Sequence, residues 1–383
     1  MNMETEGFIL IANEPIHESA PEQMPSPAPE QMPSPVPETA PTPATEPIVV
    51  SRTEEEMKDD LCDSLFNTRL PKDILIDRIK GLIYGCIIGE CHNNNTTDNF
   101  PYLTEQMLMS METVIENGMY EPYKFLKKMK EYKGTHNNYT QEVLNTLEVE
   151  PNARINSINH YIKNEDAKDD NKPYIPTDGN TALVRVIPLC LYYNFDDLAL
   201  ISCMTTHANT TCLTASVIFA TLIRNLLIGR PVSYEDLLLC FNVSLTSSMK
   251  NIEHEEGYDN LVNYIPNDNY KNIDELELKD GSHVYKTLGV CIYSLMRTIE
   301  QNIIDSHKES PTSNVDNFNN IIEEVHSKGG DTITNCCITG AIVGCCIGYN
   351  NLPLNKIHLT SQNSAYIEKI INLYLHVFGI KKL

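Results

Sequence analysis

The chain has 383 residues and a formal net charge of −23, which argues against a role built on neutralising nucleic-acid phosphates. Its length suits one large domain or two smaller ones, with ample chain to bury a core. The acidity is uneven: residues 1–60 hold thirteen Asp or Glu against two Lys or Arg, a net of −11, which leaves −12 for the remainder.

Residues 1–60 read as a separate region. An octapeptide, Pro-Glu-Gln-Met-Pro-Ser-Pro-x, occurs at 21–28 and again at 29–36, and Pro-rich acidic sequence continues to Pro47. Proline at this density removes backbone donors, and the few apolar groups cannot offset chain entropy. The expectation is a disordered, extended tail that acts as a solvating spacer or as the ligand of a Pro-binding partner. Met1–Leu10 already contains Glu4 and Glu6, so no signal peptide is expected.

From about Leu61 to Leu383 the apolar spacing predicts a single all-α domain of ten or more helices. Ile76, Ile79, Ile83, Cys86 and Ile87 recur at three- and four-residue steps. A second helix is expected over Thr104 to Asn117, closed by Gly118. Cys203 to Leu227 reads as one long apolar helix ended by Gly229 and Pro231. Val284, Leu288, Cys291, Leu295 and Ile299 mark another, with Ser282 as candidate N-cap. Polar loops are expected near 163–175, 247–280 and 306–320. The longest apolar run, Ile333 to Gly348, is interrupted by polar residues and shorter than the ~20 residues that span a bilayer, so no membrane partner is expected. Most of the 12 cysteines lie among apolar neighbours without Cys-x-x-Cys spacing, which favours a reducing, cytoplasmic location.

Two helices share a design. Gly81, Gly85 and Gly89 are spaced by four, and so are Gly340, Gly344 and Gly348. A Gly inside a helix costs roughly 1 kcal/mol relative to Ala, which close backbone approach to a neighbour offsets. If the two helices pack antiparallel, Glu90 at the end of the first comes near Asp331 at the start of the second. The segment Gly329-Gly330-Asp331-Thr332-Ile333-Thr334 places oxygen ligands at a helix N-terminus, a plausible metal or phosphate site.

That segment resembles the C-terminal signature of the ADP-ribosylglycohydrolase family, Gly-Gly-Asp-x-Asp-Thr/Ser, with Ile333 at the second Asp. Arg78-Ile79-Lys80-Gly81 through Gly89-Glu90 resembles the family's opening element, with Glu for Asp. Gly179-Asn180-Thr181 through Arg185-Val186-Ile187-Pro188 is similar to its central Gly-Asn-Gly-x-x-Met-Arg-Val-x-Pro segment. Thr206-His207-Ala208, Gly281-Ser282-His283 and Leu352-Pro353 follow in the family's order, so the resemblance covers nearly all of 75–355. It implies an orthogonal multi-helix bundle that handles ADP-ribose or an ADP-ribosylated protein.

In the family two Mg²⁺ ions hold the attacking water, and hard divalent cations need carboxylate oxygens. The family's Thr-Asp-Asp-Thr element falls here on Pro101-Tyr102-Leu103-Thr104, which loses both carboxylates; an alternative register, Thr97-Asp98-Asn99, keeps one. The resemblance therefore implies Asp331, Thr334, Thr104 and, in the second register, Asp98 as ligands for one weakly bound Mg²⁺ or none. Glu90 is the candidate catalytic acid or base. Gly179, Asn180, Thr181, His207, Gly281, Ser282 and Gly330 are the candidate ligand-binding residues, while Arg185 is expected to sit in a structural ion pair. Three functions stay open: a family member with weakened or lost hydrolysis that binds ADP-ribose or a modified partner, an active Mg²⁺-dependent hydrolase, and a non-catalytic helical scaffold with a recruiting tail.

Overall fold

The computed structural model describes residues 68–92, 100–134, 136, 138–146, 158, 161–163, 177–229, 261–264, 272–279, 281–308, 312–357 and 359–382. The Pro-rich tail and Asp98 lie outside the described residues, as do most of the loops expected at 163–175 and 247–280. Among the described residues the architecture is all-α, with no strand beyond an isolated antiparallel bridge between Gly179 and His283.

The helices follow in the order α1 (Lys72–Glu90), α2 (Tyr102–Asn117), α3 (Pro122–Glu131), α4 (Asn138–Thr146), α5 (Ala182–Val186), α6 (Phe195–Cys203), α7 (Thr210–Leu227), α8 (Val284–Asp305), α9 (Asn314–Ser327), α10 (Thr332–Ile347) and α11 (Ser361–Val377). Gly118 ends α2 in the left-handed conformation at φ 70°, where an L side chain is strained. Helix α10 is buried on nearly every side, which is why its sequence is apolar all round rather than striped. It packs on α1, α8 and α9.

The α1–α10 contact is a direct backbone approach. A Cβ placed on Gly85 would lie 2.9 Å from the Gly340 carbonyl carbon and 3.1 Å from Gly344 Cα. One turn on, a Cβ on Gly89 would lie 2.6 Å from the Cys336 carbonyl carbon, and one turn back, Gly81 meets Gly344 and Gly348 at 3.0 Å. The rising numbers of one helix meet the falling numbers of the other, so the pair is antiparallel. Glu368 of α11 ties down the outer face of α1, accepting from Lys80 Nζ at 2.9 Å and Tyr84 Oη at 2.7 Å.

Three expectations need correction. The single helix foreseen over 203–227 is two, because Thr205 Oγ1 donates to Ser202 O at 2.7 Å and Asn209 caps α7 by accepting from Thr211 N at 2.8 Å. Short polar side chains compete with the helical ladder in this way. His283, not Ser282, is the N-cap of α8; its Nδ1 accepts from Tyr285 N at 3.1 Å, and the bridge to Gly179 holds the chain extended up to that residue. The loop expected over 306–320 gives way to α9 at Asn314, where Ser313 Oγ accepts from Asp316 N at 3.1 Å. Ser-x-x-Asp is a legible helix start that a loop reading passes over.

Helix α7 is 18 residues long with mean hydropathy 1.4, but 83% of it is buried. Its apolar length fills the protein's own interior.

Candidate functional site

The residues singled out in sequence converge on the end of the bundle where α1 finishes and α10 begins. Glu90 is the last residue of α1 and is 2% exposed. Its carboxylate crosses to the start of α2, where Leu103 N donates at 2.6 Å and Thr104 N and Oγ1 each donate at 2.7 Å. Helix α2 begins after Pro101, which offers no side-chain cap, so Glu90 supplies the missing acceptor from another helix. Burial pushes the Glu90 carboxyl up to about 7, against the lowering effect of these three donors. Thr104 thereby commits its hydroxyl proton to Glu90.

Asp331 is the N-cap of α10, accepting from Thr334 N at 3.1 Å. Removing such a cap costs ~1 kcal/mol, so Asp331→Ala is expected to lower the unfolding free energy by about that much in urea melts. An unchanged midpoint would show the cap idle. Before it, Gly330 sits at φ 72°, and an added Cβ would lie 2.9 Å from the Leu278 carbonyl carbon and 3.3 Å from Gly281 O. Gly281 and Gly330 are thus neighbours across the site. Ser282 is exposed beside them.

The central segment is wired into the same place. Asn180 Nδ2 donates to Thr287 Oγ1 at 2.9 Å, and Thr287 Oγ1 donates to Asn335 Oδ1 at 2.7 Å, so α8 and α10 are linked to the 179–181 turn through two hydroxyl contacts. Asn180 is 1% exposed and its Oδ1 has no hydrogen-bond partner among the described residues. Thr181 is the N-cap position before α5 and is 8% exposed. Gly179 lies over His207, whose Nε2 would be 3.3 Å from a Cβ at that position. His207 sits in the break between α6 and α7, not inside a helix; burial, reinforced by the Arg185 charge, pushes its pKa down to about 3.

Arg185 corrects another expectation. It is fully buried, yet its partners are neutral: Gln106 Oε1 at 3.2 Å, Ser202 O at 3.2 Å, and Thr206 Oγ1. Among the described residues it makes no ion pair. Thr287 and Asn335 are site residues that the sequence reading did not single out, while Thr206 and His283 entered it only as members of matched motifs. Asn335 lies four residues after Asp331 and Thr287 four after His283, so helical spacing from residues already noted would have found both.

At the positions that the resemblance, in the Pro101–Thr104 register, places on the family's carboxylates, the side chains do not suit a hard cation; Asp98 of the alternative register lies outside the described residues. Leu103 is 2% exposed in the core, Ile333 is 46% exposed, and the Tyr102 ring packs with Tyr132 and His136 at centroid distances of 6.0 and 5.4 Å. Among the described residues no group of three His, Cys, Asp or Glu has metal-binding geometry. Among the described residues the side chains around these positions do not fit a pair of Mg²⁺ ions, whose mutual repulsion requires several carboxylates.

The ADP-ribosylglycohydrolase family model matches residues 71–379. The chain belongs to the ADP-ribosylglycohydrolase family. The same fold appears in a solved structure described as an ADP-ribosylglycohydrolase-related protein complex, at a TM-score of 0.54 and 16% identity, covering 81% of this chain and 100% of that one. No curated protein matches by sequence. The matched span takes in α1, α10 and the Gly329-Gly330-Asp331 turn.

Proposed function

We propose that the protein binds ADP-ribose or an ADP-ribosylated partner with its hydrolytic activity weakened or lost. The observation that carries this reading is the fate of the acidic residues near the family's metal positions. Glu90 is engaged by three donors from α2, Asp331 caps its own helix, and the places of the other carboxylates hold Tyr102, Leu103 and Ile333. Among the described residues, Asp331 and Thr334 offer one negative charge where two divalent ions need several. The Gly179–Thr181 turn, His207 and the Asn180–Thr287–Asn335 chain supply neutral hydrogen-bonding groups, a chemistry suited to sugar hydroxyls and phosphate oxygens.

The test is direct. The full chain is incubated with ADP-ribosylated protein and Mg²⁺, and free ADP-ribose is measured beside a calorimetric titration of ADP-ribose. Binding without Mg²⁺-dependent release is expected. Ile333→Asp with Tyr102→Asp is expected to raise Mg²⁺ affinity, since both positions are at least partly exposed, whereas Leu103→Asp would bury a charge in the core. Mg²⁺-dependent release by the unmodified chain, abolished by Asp331→Ala, would establish an active hydrolase instead. Failure to bind ADP-ribose would remove the ligand from the proposal.

A further inference from the structure

His207 has a proton arrangement that its neighbours decide. A guanidinium carries donors only, so Thr206 Oγ1 must accept from Arg185 Nη2. The same oxygen lies 2.7 Å from His207 Nδ1. If Nδ1 carried the proton, Thr206 Oγ1 would accept twice and its own hydroxyl proton would be buried with no acceptor, since Thr206 is 0% exposed and shows no third partner among the described residues. The arrangement that satisfies every atom has the Thr206 hydroxyl donating to Nδ1. The imidazole proton then resides on Nε2.

We propose that the buried Arg185–Thr206 pair sets the tautomer of His207, holding it as a neutral imidazole whose Nε2–H is a fixed donor for an acceptor atom of a ligand. Nε2 faces Gly179, and a Cβ there would crowd it at 3.3 Å, so a side chain at 179 would close the approach to this 1%-exposed imidazole. The other groups packed on this residue are the Tyr139 ring at 5.1 Å and Cys203, whose Sγ lies 3.5 Å from the His207 carbonyl oxygen. Burial pushes the Cys203 thiol up to about 11, so Arg185 is the permanent charge that His207 meets, and it opposes a second cation. A neutral donor selects by direction rather than by charge, so the matching ligand atom is an oxygen or ring nitrogen with a free lone pair. Arg185 acts through Thr206 and is a positioning residue. That the ligand is ADP-ribose rests on the function proposed above; the tautomer does not.

The full chain labelled with ¹⁵N-histidine tests this by long-range ¹⁵N–¹H correlation, with the His207 signals identified among the 11 histidines by their loss in His207→Gln. A protonated Nε2 and bare Nδ1 are expected, unchanged from pH 5 to 8. Thr206→Ser should retain the pattern, and Thr206→Val should move the population toward Nδ1–H. An Nδ1–H or imidazolium form in the wild type overturns the proposal, as does a Thr206→Val spectrum identical to wild type. If Thr206→Val does not fold, the wild-type and Thr206→Ser spectra decide alone, since Nδ1–H in either is fatal. ADP-ribose is then added: a shift of the Nε2–H signal supports both readings, whereas an unmoved Nε2–H removes ADP-ribose as the ligand and leaves the Arg185–Thr206 relay standing.

Discussion

Gly85→Ala is expected to lower the unfolding free energy by about 3 kcal/mol, the upper part of the range for overpacked interiors. On an exposed helix the same change gains ~1 kcal/mol, because Ala is the better helix former. Here the sign reverses for a steric reason. The added methyl would lie 2.9 Å from the Gly340 carbonyl carbon and 3.1 Å from Gly344 Cα, both parts of a backbone that has no rotamer to change. Relief requires moving α1 away from α10, which opens a buried helix contact and shifts Glu90 at the end of α1. Gly344→Ala meets the Gly81 carbonyl carbon at 3.0 Å and should behave alike. Guanidinium melts of the two variants check this. A neutral or stabilised Gly85→Ala would mean that the helices are further apart than described.

Glu90 carries the second large effect, and it depends on pH. An unfolded Glu titrates near ~4.3, whereas burial holds the folded group at about 7. Between those values the folded state keeps a proton that the unfolded chain has released. Stability therefore falls as pH rises through that window, by up to about 3 kcal/mol, and levels off above it. Glu90→Gln has no proton to lose, so its contribution should be flat, though the amide cannot accept all three donors and the variant starts lower. Urea melts at pH 5 and pH 8 separate the two behaviours. The wild type should lose at least about 1 kcal/mol more than Glu90→Gln across that interval. Glu90→Ala strands Leu103 N, Thr104 N and Thr104 Oγ1, and is expected to cost at least about 2 kcal/mol at either pH. Equal pH slopes for wild type and Glu90→Gln would refute a buried, proton-linked cap.

The helices that could be read from sequence were those whose burial follows a strong pattern. The glycine spacing of α1 and α10 predicts their mutual packing because only a residue without a side chain tolerates it, and the antiparallel sense brings the expected ends together. Helix boundaries were less legible where side chains, rather than apolar period, decide them: Thr205 and Asn209 break the 203–227 run, and Ser313 starts α9 inside an expected loop. At the site, spacing could nominate Glu90, Thr104 and Asp331 but not their partners. That Glu90 would serve α2 as a cap depends on Pro101 leaving that helix end uncapped, a three-dimensional fact. Arg185 reads as half of an ion pair because a buried cation ordinarily needs an anion. Its neutral setting of Gln106, Ser202 O and Thr206 has no local signature, since Gln106 comes from a stretch of chain far from the 202–206 turn.

The contact between α1 and α10 also constrains the order of events during synthesis. Cys86 and Cys337, whose sulfurs lie 3.1 Å apart in that contact, are separated by 251 residues. At ~5–20 residues per second, translation needs roughly 13–50 s to produce the second partner after the first. Throughout that interval the glycine-lined face of α1 has emerged without its native partner α10. The ribosome therefore holds an unfinished chain with an open apolar groove for tens of seconds, and a chaperone that shields nascent helices has its clearest role on this protein in that window.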